Sequence, residues 1–385
     1  MLKAGEGMEV WEIYVCLAIG AVIGALFCLD YLKRAYKTFL GRSPRKLHRI
    51  FIYVLSIGVG TLCLDIYGSG TVLLLYWFIP QVVLMIINFV VKKGMGEAYD
   101  EKGRIWKKVY GSGIVPVVIM AALVSYGWYN MHHVVATEYT IPTEKNIRDE
   151  GYRVVLMADI HYGTFQSEKE LREKCEEINQ IEPDMVFLCG DIVDEKTTKE
   201  KMEEVFEILS GIQCEYGFFY VYGNHDRQEY TSYPMFTNNE LRNVMEQNGI
   251  TVLQDELVVL NDEFVIVGRE DSTVGGRASI KSLLENVDKT DFIVTLDHQP
   301  KQYGECAEAG ADLHLAGHTH GGQIWPINYI TKLTYEGFYG YKKTEEGMQT
   351  VVTSGFAGWA MGIKTSAPAE YVVLNIEGNG SRVSE

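Results

Sequence analysis

The sequence predicts a set of membrane-spanning helices followed by an α/β domain. Long apolar runs fill the first part of the 385-residue chain, whereas short β-branched runs alternate with charged amphipathic stretches from residue 138 onward. The charge changes sign at the same place: residues 1–136 contain 14 Lys and Arg against 8 Asp and Glu, and the remainder contains 21 against 43. We therefore predict a transmembrane domain over residues 1–135 and a second domain over residues 136–385.

Four apolar runs in the first domain approach or exceed the length of about 20 residues that crosses a bilayer. They cover residues 10–29, 50–66, 71–91 and 114–128. Pro80 and Pro116 lie within the last two runs, where neighbouring helices can satisfy the carbonyl that a proline leaves free. The acidic start of the chain is untypical of a cleaved signal peptide. We expect about four spanning helices, and a buried soluble helix bundle is the alternative.

Basic residues concentrate in two of the connections between these runs, and cytoplasmic connections of membrane proteins are enriched in Lys and Arg. The connections contain Lys33, Arg34, Lys37, Arg42, Arg45, Lys46 and Arg49 after the first run, and Lys92, Lys93, Lys102, Arg104, Lys107 and Lys108 before the last. Both are predicted to be cytoplasmic. The chain is then a multi-pass protein of the cell membrane with everything after Trp128 outside the cytoplasm. One miscounted span would invert this sidedness.

The acidity of the second domain limits its partners. A surface with this excess of carboxylates repels the phosphates of nucleic acids, so no nucleic-acid polymer is expected as a partner. The lipid bilayer is the partner that the apolar runs predict.

The seven cysteines have no CxxC spacing, which excludes a zinc ribbon or a thioredoxin-like motif. Cys175, Cys189, Cys214 and Cys306 lie in the second domain. They could form two disulfides if that domain is exported, although a core of this size does not require one.

The second domain shows the alternation of strands and helices that is typical of α/β proteins. Amphipathic helices are predicted over residues 167–181 and 199–209. The predicted strands cover residues 153–159, 184–188, 217–221, 251–253, 257–260, 264–268, 292–296, 313–316, 350–353 and 371–376.

Residue types that bind metals follow the ends of five of these strands. The five blocks are Asp159-Ile160-His161, Gly190-Asp191-Ile192-Val193-Asp194, Gly223-Asn224-His225-Asp226, Asp297-His298-Gln299 and Gly317-His318-Thr319-His320. In an open α/β sheet the loops beyond the carboxyl ends of the strands line one crevice, so residues far apart in sequence can meet there.

Together the five blocks resemble the signature of the calcineurin-like metallophosphoesterase superfamily: Asp-x-His, Gly-Asp-x-x-Asp, Gly-Asn-His-Asp or Glu, a lone His, and Gly-His-x-His. The resemblance covers residues 152–375. It implies a four-layer α/β/β/α sandwich and the activity of a metal-dependent phosphoric ester hydrolase. The membrane-anchored bacterial members are the relatives that the N-terminal runs indicate.

The resemblance also implies two divalent metal ions with shared ligands. Asp159, His161 and His320 would hold one ion, Asn224, His298 and His318 the other, and Asp191 would bridge both. Imidazole and carboxylate ligands suit manganese, iron or zinc, and manganese is favoured here. Asp194 is expected to support the site from behind the ligands.

The mechanism that the family implies is attack on phosphorus by a metal-bridging hydroxide, in line with the leaving oxygen of a phosphate mono- or diester. His225 would protonate the leaving oxygen, and Asp226 is placed by the sequence to orient its imidazole. The ester is expected to be attached to a lipid, a cell-envelope precursor or a nucleotide.

Two features leave the function open. An aromatic-rich tail is either packed or forms a wall that faces lipid or substrate; it includes Phe338, Tyr339, Tyr341, Phe356 and Trp359. Asp297, before the lone His298, departs from the family pattern and could add a carboxylate behind the ligands. The alternative function is a catalytically weak metal-binding sensor or scaffold at the membrane, which the intact His225 disfavours.

Overall fold

The computed structural model describes residues 10–65 and 68–378. The chain divides into two compact units, Met1–Gly127 and Trp128–Glu385. Within the described residues, four helices are long and apolar enough to cross a membrane, as the sequence predicts; Ile66, the last residue of the second predicted run, lies outside that part.

The first unit is helical. Its helices are α1 (Val10–Leu40), α2 (Lys46–Gly60), α3 (Ser69–Met95), α4 (Ala98–Lys102), α5 (Arg104–Ser112) and the first part of α6 (Ile114–His132). Helices α1 and α2 approach closely at Gly60, where a Cβ would lie 2.4 Å from the carbonyl oxygen of Ala21. A small residue at such a contact lets two membrane helices pack backbone to backbone.

The helices extend further than the apolar runs. Helix α1 continues to Leu40, so Lys33, Arg34 and Lys37 lie on its last turns and not in a loop. The connection before α6 is also helical, because α4 and α5 occupy most of it. Much of the two basic connections is therefore helical, and long basic side chains on helix ends can reach the polar boundary of a bilayer.

The second unit contains two six-stranded sheets within its described part. The strands are β1 (Val135–Pro142), β2 (Tyr152–Met157), β3 (Met185–Cys189), β4 (Phe218–Val221), β5 (Ile250–Val252), β6 (Glu256–Leu260), β7 (Phe264–Gly268), β8 (Phe292–Leu296), β9 (Leu313–Ala316), β10 (Gly340–Lys343), β11 (Gln349–Val352) and β12 (Glu370–Glu377). Their orders are β1-β12-β2-β3-β4-β5 and β10-β11-β9-β8-β7-β6.

Helices cover the outer face of each sheet, which gives the predicted α/β/β/α layers. They are α7 (Glu168–Ile181), α8 (Lys199–Leu209), α9 (Asn238–Gln247), α10 (Ile280–Leu283) and α11 (Tyr303–Glu308). A further short helix, α12 (Asn328–Thr331), buries none of its residues. Alternate residues of a strand face opposite layers. Val155 packs under α7 and α8, for example, whereas its neighbours Val154 and Leu156 fill the core between the sheets.

Parallel pairing aligns the strand ends that precede the metal-binding residue types. Strands β2, β3 and β4 are parallel neighbours in the first sheet, and β8 and β9 are parallel neighbours in the second. Their carboxyl ends therefore open at one edge of the sandwich. The metal-binding residue types follow at this edge.

Candidate metal centre

Three of the five loops at this edge turn sharply, those after β2, β3 and β9. Asp159, Asp191 and His318 each stand two residues beyond a strand and have φ values of 55°, 53° and 72°. His161 and His320 also have positive φ, at 46° and 50°. Non-glycine residues rarely adopt this left-handed region, and such strain concentrates at functional sites.

The first cluster of possible ligands consists of Asp159, His161 and His320. One donor atom from each lies within 4.8 Å of the other two, and all three side chains are buried. His320 Nε2 is 3.6 Å from Asp159 Oδ1, and the His161 and His320 rings stack with centroids 5.3 Å apart. This spacing suits three ligands around one ion.

The second cluster consists of Asp191, His298 and His318, whose donor atoms also lie within 4.8 Å of one another. His298 Nε2 is 3.1 Å from Asp191 Oδ2 and 3.2 Å from His318 Nδ1. The same Asp191 oxygen is 3.9 Å from His161 Nε2 of the first cluster. The Asp191 carboxylate thus lies between the two clusters.

Unpaired polar atoms test whether these residues fit two metal ions. Among the described residues, the Nε2 of His161 and the Oδ1 of Asn224 are buried without a hydrogen-bond partner. Such atoms are costly unless something satisfies them, and a metal ion would do so. His298 and His320 direct Nδ1 to the carbonyls of Cys189 and Ala357, at 2.8 and 3.2 Å, which leaves Nε2 for the centre. The donor set fits two divalent cations.

The charge states of the cluster residues are set by burial and by one another. Burial, with the neighbouring His298, lowers the pKa of His318 to about 3, and burial also lowers the pKa of His320 well below its usual value. Neutral imidazoles are the form that binds metals. Burial opposes ionisation of Asp191, but His298 and His225 outweigh it and hold the pKa of that carboxyl well below its usual range.

His225 is held at the rim of the centre by a carboxylate. Its Nδ1 lies 2.8 Å from Glu195 Oε2, and its backbone N–H donates to Asp191 Oδ1 at 2.9 Å. The pair is largely enclosed, with 13% of the His225 side chain and 19% of the Glu195 side chain exposed. Burial lowers the pKa of His225, but Asp191 and Glu195 raise it to about 9. The imidazole is thus oriented by Glu195.

The prediction that Asp226 orients the His225 imidazole was wrong. The Asp226 carboxylate is fully buried and accepts four backbone N–H groups, from Gly223, Asp191, Ile192 and Val193, at 2.6 to 3.2 Å. It therefore joins the two loops that carry Asp191 and Asn224. Adjacent side chains in a tight turn diverge, so adjacency in sequence did not place Asp226 against the ring of His225.

Asp194 stands behind the ligands, as expected. Its Oδ2 is 3.4 Å from His161 Nδ1, and its Oδ1 accepts the backbone N–H of Lys196 at 2.8 Å. Because the carboxylate lies on the Nδ1 side of His161, the opposite nitrogen faces Asp191 and the centre.

The unusual carboxylate of Asp297 is neutralised within the protein. Asp297 is fully buried and forms an ion pair with Arg277, whose side chain is 9% exposed. A buried pair of this kind offsets the charge locally. Asp297 thus braces the loop before His298, and its carboxylate is already engaged by the Arg277 guanidinium.

Aromatic rings border the centre. Tyr230 and Trp359 lie 5.0 and 5.2 Å from the His225 ring, and the Tyr335 hydroxyl is 3.4 Å from His318 Nε2. Of the predicted aromatic tail, Phe356 is fully buried and the Tyr339 hydroxyl donates to Glu370. Packing is therefore the correct interpretation for part of that tail.

Sequence reasoning missed Glu195, Tyr230 and Tyr335. Glu195 had a signal, because it directly follows the Gly190-to-Asp194 block. Tyr230 and Tyr335 had none, since each comes from a loop without a motif.

The chain is similar to several known proteins. Residues 152–322 match the calcineurin-like phosphoesterase family. An uncharacterized metallophosphoesterase of Helicobacter pylori is 29% identical over 66% of this chain and 68% of its own length. A transmembrane protein with a metallophosphoesterase domain from Danio rerio is 23% identical over 94% of this chain and 80% of its own length. The crystal structure of a dimetal phosphatase from Danio rerio is similar with a TM-score of 0.36 and 14% identity, over 54% of this chain and 88% of that one.

Residues 152–322 are a calcineurin-like phosphoesterase domain, and the chain is a metal-dependent phosphoester hydrolase. Its four apolar helices and its similarity to a transmembrane relative make it a membrane-associated member of the family.

Proposed function

We propose that this protein is a membrane-anchored phosphoesterase with two divalent metal ions, manganese being the favoured metal, and that it hydrolyses phosphate mono- or diesters outside the cytoplasm. The observation that carries the proposal is the convergence of two clusters of donor atoms from four strand-end loops, with the Asp191 carboxylate between them.

We assign the ligands from this convergence. The first ion would be held by Asp159, His161 and His320, and the second by Asn224, His298 and His318, with Asp191 shared by both. The unpaired Oδ1 of Asn224 supports its place in the second set, because a buried carbonyl oxygen without a donor is the feature that a cation would satisfy.

Bound ions would supply Lewis acidity toward the phosphate and lower the pKa of the attacking water. The residues of the chain orient the ester and move a proton. His225 lies beside Asp191 and donates the proton to the leaving oxygen from Nε2, because Nδ1 is engaged by Glu195. Glu195 thereby fixes the direction of the transfer. Asp226 acts indirectly, by joining the loops that carry Asp191 and Asn224.

The outward placement of the catalytic unit rests on the basic residues of the first unit. They lie on the ends of α1, α2 and α3 and on α4 and α5, which belong to the two connections predicted to be cytoplasmic. A reporter that is active only in the cytoplasm, fused after Glu385, should stay inactive. Activity from that fusion would overturn the placement.

Turnover tests the catalytic part of the proposal. The purified full chain in detergent should hydrolyse p-nitrophenyl esters of phosphate in the presence of Mn²⁺ and lose the activity with a chelator. Asp191→Asn should lower kcat about 100-fold or more, because the variant removes a shared charged ligand. Metal-dependent turnover that is unchanged in both Asp191→Asn and His225→Ala would refute the assignment.

A further inference from the structure

An exposed apolar segment runs past the candidate metal centre. We call residues 325–333 the apolar segment. Five of the thirteen exposed large apolar side chains in the described part of the second unit fall within these nine residues. They are Trp325, Ile327, Tyr329, Ile330 and Leu333, with exposed fractions between 40% and 85%. Soluble surfaces scatter such residues singly, so this concentration marks an interaction surface.

Most backbone N–H groups of the apolar segment are paired locally. The N–H groups of Asn328, Ile330, Lys332 and Leu333 donate to carbonyls within residues 324–330 at 2.8 to 3.0 Å. The Thr334 hydroxyl likewise donates to the Thr331 carbonyl at 2.7 Å. This local pairing lowers the cost of placing the segment at the boundary of an apolar phase.

The charge of the apolar segment differs from that of the surrounding domain. Residues 323–335 contain no Asp or Glu and one Lys, Lys332, whereas the chain beyond residue 136 has 43 acidic residues against 21 basic ones. Carboxylates would be repelled by anionic lipid headgroups and are costly to desolvate at a membrane surface. The segment lacks them at the place where apolar side chains are exposed.

The apolar segment is tied to the end of a membrane-spanning helix. Asn130, in the last turn of α6, donates through Nδ2 to the carbonyls of Lys364 and Ala367 at 2.8 and 2.9 Å. Residues 363–367 also hold the start of the segment, because Thr365 accepts the N–H of Trp325 at 3.0 Å and donates its own N–H to Gln323. Trp128 and Tyr129 are exposed on the same helix turn, as in interfacial aromatic belts.

The apolar segment also adjoins the centre at both ends. It begins five residues after His320, and it leads to Tyr335, whose hydroxyl is 3.4 Å from His318 Nε2. Thr319 closes the loop by donating its hydroxyl to the Phe338 carbonyl. A ligand that contacts the segment is therefore delivered next to the histidines of the centre.

We propose that the apolar segment inserts into the surface of the bilayer that holds α6, so that the centre takes phosphoesters of amphiphiles whose chains remain in the membrane. This inference rests on the proposed function and adds the substrate class and the surface that selects it. The four contributing observations are the exposed apolar cluster, the locally paired backbone, the absence of carboxylates and the attachment to the helix end.

Tryptophan fluorescence tests the membrane contact directly. The full chain and Trp325→Phe are reconstituted into phosphatidylcholine vesicles with or without brominated acyl chains. The difference between the two proteins reports Trp325, which should be quenched at least about twofold by bromine near the interface. The comparison is repeated with Leu333→Asp and with the double variant Leu333→Asp, Trp325→Phe. The Trp325 signal obtained from these two proteins should lose most of its quenching by bromine. An unquenched Trp325 signal would overturn the proposal.

A kinetic comparison tests the substrate class. Ethyl p-nitrophenyl phosphate in water and hexadecyl p-nitrophenyl phosphate in vesicles share the bond that breaks and differ in the chain. In proteoliposomes with Mn²⁺, Leu333→Asp should lower turnover of the hexadecyl ester about tenfold and leave that of the ethyl ester within about twofold. Val259→Asp, which alters an exposed apolar residue of edge strand β6, is the matched control and should change neither rate.

The outcomes separate the two proposals. Equal rates for wild type and Leu333→Asp on both esters, or equal losses on both, would overturn the membrane surface while the phosphoesterase assignment stands. Absence of turnover of both diesters and of the monoester p-nitrophenyl phosphate by wild type would instead refute the proposed function, and the quenching experiment would still decide whether the apolar segment contacts the bilayer.

Discussion

Replacement of Glu195 by Gln isolates the proton transfer at His225. The variant keeps the size of the side chain but removes the negative charge that lies 2.8 Å from His225 Nδ1. A hydrogen bond to a charged partner contributes about 1.5–3 kcal/mol, which corresponds to a loss of about 10- to 150-fold in kcat if the whole interaction acts in the transition state. Both side chains are mostly enclosed, so solvent screening does not erase this contribution.

The leaving group distinguishes proton transfer from general damage. An alkoxide must be protonated as it leaves, whereas p-nitrophenolate leaves without a proton. With methyl glyceryl phosphate the loss in Glu195→Gln should reach the estimated range, and with methyl p-nitrophenyl phosphate it should stay within about fivefold. His225→Ala should show the same selectivity with a larger loss of about 10²- to 10⁴-fold. The corresponding phosphate monoesters are measured in parallel.

Two controls make the result decisive. Glu203→Gln changes an exposed glutamate of α8 and should leave both substrates unaffected. Asp226→Asn should lower both rates to the same extent, because it loosens two loops and not the imidazole. If Glu195→Gln reduces both rates equally, or neither, while His225→Ala remains selective, Glu195 does not position the proton donor. If His225→Ala is itself unselective, His225 does not donate the proton.

Three further predictions concern stability. Asp226→Asn replaces an acceptor of four N–H groups by a side chain that carries its own donor. We expect the free energy of unfolding to fall by about 3 kcal/mol or more, measured as a lower Tm of the full chain in detergent. An unchanged Tm would contradict this. Mn²⁺ at about 100 times its Kd should stabilise the folded wild type by about 2.7 kcal/mol and the folded Asp191→Asn variant by clearly less. Equal shifts in Tm would argue against Asp191 as a shared ligand. Burial lowers the pKa of Lys364 from 10.5 to about 7. Between those pH values the unfolded chain binds a proton that the folded chain does not. The free energy of unfolding therefore rises with pH by up to about 1.4 kcal/mol per pH unit. Lys364→Met should remove that slope, whereas parallel Tm curves would show that the lysine is charged in the fold.

The sequence was sufficient to predict most of the fold because its patterns are local. Helix α8 covers the predicted residues 199–209, and strands β7, β8 and β9 begin and end where the β-branched runs do. Strand β1 was missed because its partner, β12, lies more than 200 residues further along the chain. Its half-exposed pattern resembles a linker until that pairing supplies the hydrogen bonds.

The convergence of the candidate residues was predictable, but the groups that support them were not. Each proposed ligand sits at a strand end, where hydrophobic periodicity and parallel pairing fix its place. The partner of the His225 imidazole depends instead on which way adjacent side chains point in one tight turn. Asp226 turns toward the backbone of the neighbouring loop, and Glu195 comes from that loop to the imidazole. Sequence spacing contains no information on such a choice between two nearby carboxylates.

The acidic surface repels an anionic phosphate ester, whereas the proposed metal centre attracts it. The carboxylates that concentrate divalent cations near the protein also repel the anionic substrate at long range. A soluble phosphate ester would have to cross this field, which salt screens only beyond about 8–10 Å. An amphiphile held in the bilayer would instead reach His318 along the apolar segment, where residues 323–335 have no carboxylate. The activity on soluble esters should therefore rise with salt more steeply than the activity on membrane-held esters, and equal salt dependence would count against this route.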